Sequence, residues 1–187
     1  MVRLIILANV LLYGLVVAGT GTFSPSARQL LAWGGDLGAL SLHGEPWRLV
    51  SGIFLHASPG HVFGNMALLF FAGMFVEAML GPARFLAVYV VCGLAASLLS
   101  AWGHPDVVGV GASGAIAGIV GIIVVFYFSG RQTGIRGAWV AQTVGINAAF
   151  SLAPNVDWLA HLGGFGAGIA CGLFLLARAP ADLPPTS

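Results

Sequence analysis

Six apolar runs of near-membrane length take up most of this 187-residue chain. They lie at approximately Leu4–Gly19, Val62–Leu80, Phe85–Ala101, Val110–Phe128, Ala138–Leu152 and Leu159–Ala177. A helix crossing a hydrocarbon core of roughly 30 Å needs about 20 apolar residues, so six crossings use about 120. Charged residues make up 7% of the chain and apolar ones 58%, against about 25% and 45–50% in a soluble domain. A water-soluble fold of this size would lack the charges to cover its surface. A cytosolic enzyme and a disordered chain are thereby excluded. The net charge of +1, with all seven cations scattered arginines, leaves no basic face for nucleic acid. Cys92 and Cys171 both lie inside apolar runs, so no disulfide framework is expected.

These runs predict one all-α membrane domain over residues 1–178, a bundle of six transmembrane helices. The largest piece outside the spans is Thr20–Ser58, a long loop between the first two helices. A proline-bearing tail, 179–187, is expected to be disordered. Arg3, Arg84, Arg131, Arg136 and Arg178 fall on one side of the predicted spans, and Arg28 and Arg48 on the other. The positive-inside rule makes the richer side cytoplasmic, with both termini inside. The first span has signal-peptide features, but its removal would spoil this asymmetry, so it is expected to stay. Small residues recur at helical spacing, as Gly111, Gly114, Gly118 and Gly121 in span four and Gly164 and Gly168 in span six. Such faces let backbones approach closely, which predicts that spans four and six touch.

Polar groups inside a membrane are costly and mark function by default. His61 and Asn65 in span two, Ser113 in span four and His161 in span six all lie near the starts of even-numbered spans. Those starts share the non-cytoplasmic face, so the four residues are expected to converge on one layer. A serine is a poor nucleophile without a base to take its proton, and His161 is the candidate base. His61 and Asn65, four residues apart, share a helix face and can donate to a developing oxyanion. The bland readings are a serine bonding back to its own helix and a structural histidine. Asp157, four residues before His161, reads as a helix N-cap rather than as a triad carboxylate. Glu77, about three turns beyond His61, reads as a tie between helix ends. A zinc site from His56, His61 and His161 lacks a carboxylate and an H-E-x-x-H pattern, so no metal or other cofactor is expected.

The ordered motifs resemble the rhomboid family of intramembrane serine proteases, from roughly Pro46 to Gly168. They comprise Trp47-Arg48, Phe54-Leu55-His56 leading to His61-Val62-Phe63-Gly64-Asn65, Glu77 with Gly81, Gly111-Ala112-Ser113-Gly114, and Ala160-His161-Leu162-Gly163-Gly164 followed by Gly168. The resemblance implies that Ser113 is the nucleophile and His161 the base, with His61, Asn65 and the Ser113 N–H forming the oxyanion hole. It implies that Trp47 and Arg48 brace a loop lying partly in the membrane. It also implies that transmembrane substrates, entering from the surrounding membrane lipids past span five, are cut near the outer face of the cell membrane. One position departs from the pattern. Many rhomboids carry an aromatic residue four positions after the serine, against the histidine; here it is Ala117. Either another ring, Phe165 or Phe63, supports His161, or the histidine is held less firmly. The rival classes are a rhomboid-like binder of membrane helices without strong catalysis, and a small transporter. The second is disfavoured because the spans below Asn65 and Ser113 are nearly all apolar.

Overall fold

The computed structural model describes residues 1–130, 135–153 and 156–178. The predicted tail at 179–187 and Arg131 lie outside the described residues. The protein is mostly helical. Among the described residues, four helical stretches are long and apolar enough to cross a membrane: α1 (Val2–Thr20), the stretch Pro59–Leu80, α7 (Pro82–Gly103) and α10 (Trp158–Arg178). Two further helices are shorter, α8 (Ser113–Phe128) at 16 residues and α9 (Gly137–Ser151) at 15.

Local chemistry sets the ends. Gly21, at φ +71, closes α1 in the left-handed conformation that glycine adopts without penalty. Pro59 opens α5 (Pro59–Leu68), and the Ser58 side chain accepts from the His61 N–H as its cap. This cap fixes His61 in the first turn. A π turn, Leu69–Gly73, joins α5 to α6 (Met74–Leu80). Gly73 there sits close against Leu69, Val2 and Phe85.

Helix α8 is apolar all round and buried along almost its whole length, so it forms the centre of the bundle. Its glycines meet the backbone of α10 directly. A Cβ on Gly164 would lie 1.9 Å from the Gly114 carbonyl oxygen, and one on Gly168 equally close to the Gly118 oxygen. Gly118 also faces Cys92 of α7. Helices α8 and α10 therefore touch along the glycine faces, as the spacing of those glycines predicts.

One expectation changes. The fourth helix was expected from Val110 but starts at Ser113. The preceding residues form β2 (Val108–Gly109), antiparallel to β1 (Asp36–Leu37), and the Gly111 N–H donates to the Gly52 oxygen. Gly111 itself takes φ +121, which ends any helical path. Hydropathy cannot register this, because Val110 is as apolar as the helix that follows.

The loop between the first two spans is also folded. It carries α2 (Ala27–Ala32), with a Ser26–Gln29 capping box, then α3 (Gly38–Ser41), α4 (Arg48–Ser51) and a 3₁₀ turn at Gly52–Phe54. Arg48 ties it together. Its Nη1 donates to the Leu31 and Gly35 oxygens at 2.7 and 3.1 Å, its Nε donates to Glu45, and its guanidinium lies 4.5 Å from the Trp47 ring centre. Buried Asp36 accepts from the Ser41 hydroxyl, and burial pushes its carboxyl above the usual range. At the other end of the bundle, Glu77 accepts from the Met1 amino group and from the Val2 N–H at 2.7 Å.

Candidate active site

A cavity of about 800 Å³ opens among α5, α7, α8 and α10. His61, Asn65, Gly111, Ser113, Gly114 and His161 all line it. Residues a hundred positions apart thus meet in one chamber, as expected from their places at helix starts. Trp47, Arg48 and Glu77 are not among its lining residues; their contacts lie in the loop and at the far helix ends.

Ser113 is the first residue of α8 and is only partly buried. Other hydroxyls of this chain bond back to their own helix: Thr20 to Val16, Ser129 to Phe126, Thr143 to Trp139 and Ser151 to Asn147. Ser113 does not. The residues before it are in β2 and a turn, so no helical carbonyl lies one turn back to take its proton. Among the described residues the Ser113 hydroxyl has no hydrogen-bond partner. The usual fate of a membrane-helix serine is thus excluded by its position at the helix start.

His161 lies in the first turn of α10 and is 5% exposed. Its Nδ1 is 2.5 Å from the Ser151 Oγ at the end of α9, while its Nε2 is buried with no hydrogen-bond partner among the described residues. Ser113 and His161 share the cavity without a direct hydrogen bond; nucleophile–base contacts are often long in an unliganded site.

His61 and Asn65 face the same chamber from α5. The Ala57 N–H donates to His61 Nδ1 at 3.5 Å, so the proton of the neutral ring belongs on Nε2. That Nε2 would lie 2.7 Å from a Cβ on Gly111. Only glycine leaves room for the ring beside the residues that lead into Ser113. The Asn65 Nδ2 donates to His56 Nε2 at 2.9 Å, which leaves its second N–H available. His56, in the loop before α5, is fully buried and packs edge-on to His61 with ring centres 4.9 Å apart. Burial, with His61 beside it, pushes His56 down to about 3, so it is neutral at physiological pH and can accept from Asn65.

Neither ring offered in place of the missing aromatic supports His161. Phe63 is 75% exposed on the outside of α5. Among the described residues no aromatic ring, Phe165 included, packs against the His161 ring. Ala117 is fully buried. The group that meets the imidazole is the Ser151 hydroxyl. Asp157 does not touch the ring either: it accepts from the Ala160 N–H at the start of α10, from the Ser100 hydroxyl, and lies 3.2 Å from His104 Nδ1.

Sequence reasoning missed Ser151 and His56 as parts of the site. A weak signal existed for Ser151, since Asn147 and Ser151 are four apart and put two polar groups on one face of an apolar helix.

Known proteins resemble this chain over most of its length. A family model described as "Rhomboid domain" matches residues 43–178. Rhomboid protease GluP of Bacillus subtilis (strain 168) is 34% identical over 177 residues, which cover 91% of this chain and 34% of that protein. Putative rhomboid protease YdcA of the same organism is 33% identical over 162 residues, 83% of this chain and 79% of its own length. RHOMBOID-like protein 1 of Arabidopsis thaliana is 36% identical over 138 residues, 72% of this chain and 36% of that protein. The chain therefore spans about a third of the first and last of these, and most of YdcA. It is an integral membrane protein, and it belongs to the rhomboid family.

Proposed function

We propose that this protein is an intramembrane serine endopeptidase that cuts single-span membrane proteins near the outer face of the cell membrane. The observation that carries this reading is the shared cavity, in which a serine hydroxyl and a histidine Nε2 both lack partners among the described residues, beside two side-chain N–H donors. His161 Nε2 takes the Ser113 proton as Oγ attacks the scissile carbonyl carbon. The developing oxyanion is held by His61 Nε2–H, the free Asn65 N–H and the Ser113 backbone N–H. Protonated His161 then gives its proton to the leaving amine, and a water deprotonated by His161 releases the acyl group from Ser113.

The chain crosses the membrane six times in this reading, with α8 and α9 as the fourth and fifth crossings and both termini in the cytoplasm. The arginine asymmetry supports that direction, and the cavity then opens to the extracytoplasmic side. Substrate enters from the lipid past α9, and no cofactor takes part. Ser113→Ala, co-expressed with a single-span substrate, is expected to abolish its cleavage while the protein stays folded. Undiminished cleavage by that variant sinks the reading.

A further inference from the structure

The protein has no carboxylate on His161 and no ring stacked against it among the described residues, yet a base must hold its proton on the correct nitrogen. The end of α9 supplies a solution. Ser151 Oγ makes two contacts, one to the Asn147 carbonyl oxygen at 2.8 Å and one to His161 Nδ1 at 2.5 Å. A hydroxyl has one proton to give. The carbonyl can only accept, so the Ser151 proton goes to Asn147, and the Ser151 oxygen must accept from Nδ1–H. The ring then carries its single proton on Nδ1, and Nε2 keeps a lone pair. Nε2 is the buried nitrogen without a partner that lines the Ser113 chamber.

We infer that Ser151 is a positioning residue for His161, part of a relay from Asn147 through Ser151 that fixes the tautomer and ring orientation the base requires. The inference rests on the protease reading above. It assigns to a neutral hydroxyl on α9 the work a carboxylate does in Ser-His-Asp sites, where loss of the orienting group leaves the wrong tautomer. It also makes the competence of His161 depend on the place of α9. That helix holds only Val140, Thr143 and Asn147 buried, whereas α8 is buried along almost its whole length. Moving α9 away from α10 would free the imidazole.

The test has a spectroscopic arm and a kinetic arm. In ¹⁵N-histidine-labelled protein in lipid nanodiscs, neutral His161 is expected as the Nδ1–H tautomer. Ser151→Ala is expected to shift it towards Nε2–H, and Ser151→Thr, which keeps the hydroxyl, to restore it. With a single-span substrate, Ser151→Ala is expected to lower kcat about tenfold with KM unchanged, the effect of one lost orienting hydrogen bond, and Ser151→Thr to recover it. A wild-type Nε2–H tautomer overturns the inference, as does a Ser151→Ala variant with wild-type spectrum or wild-type kcat. The spectra need no turnover, so this outcome is separable from failure of the protease reading, which would appear as cleavage by Ser113→Ala.

Discussion

Two histidines occupy the first turns of their helices and face one cavity, but their surroundings give them opposite chemistry. At His61 a backbone N–H meets Nδ1, so the ring proton sits on Nε2 and the ring donates into the chamber. At His161 a hydroxyl already committed to a carbonyl meets Nδ1, so Nε2 is left bare and accepts. In the proposed mechanism one residue type thus provides an oxyanion donor on α5 and a base on α10. The difference lies in the group that meets Nδ1, and it can be broken experimentally from either side.

The largest expected effect comes from removing the acceptor. His161→Ala is expected to cut kcat by about 10⁴-fold or more, as loss of a base acting as a unit with its nucleophile does. His61→Ala removes one donor of several and is expected to cost about 10²–10³-fold. Single-turnover cleavage of a purified single-span substrate checks both; equal losses would mean that the two rings do not have different roles.

A smaller effect sharpens the α5 side of the comparison. His56 holds Asn65 while neutral, and its folded pKa of about 3 is well below the ordinary value near 6.5. A base whose folded pKa is depressed leaves stability intact above its unfolded pKa. It costs stability as pH falls below that value, by about 1.4 kcal/mol per pH unit down to the folded pKa. Thermal unfolding of the protein in nanodiscs is therefore expected to shift downward between about pH 6.5 and pH 5. His56→Gln, which keeps an acceptor for Asn65 and does not titrate, is expected to reduce that shift. An identical pH dependence in the two proteins would show that His56 is not a source of it.

The long helices were legible because apolar runs of about membrane length leave few alternatives in a chain so poor in charge. The glycine faces were legible for the same kind of reason, since spacing alone puts Gly164 and Gly168 on one side of α10. Ser113, His161, His61 and Asn65 stood out as polar residues against that apolar background. What was hidden depends on backbone hydrogen bonds between distant segments. The start of α8 is set by Gly111 at φ +121 and by pairing with β1, neither of which changes hydropathy. The fold of the first loop follows from Arg48 reaching the Leu31 and Gly35 carbonyls, main-chain acceptors that any residue could supply. Ser151 is one of the back-bonding hydroxyls, and its second contact, to His161 on α10, leaves no mark in the sequence. The contact of His56 with Asn65 was hidden because nothing in the order of the chain shows that the loop folds it under α5.

The account stands most directly on the proposed pairing of Ser113 with His161, whose hydroxyl and Nε2 have no hydrogen-bond partner among the described residues. Labelling of the membrane-embedded protein with a fluorophosphonate, followed by peptide mapping, measures that pairing without a known substrate. The adduct is expected on Ser113 in the wild type, to be strongly reduced in His161→Ala and to be absent in Ser113→Ala. Labelling that persists in Ser113→Ala, or that maps to a different residue in the wild type, would contradict it.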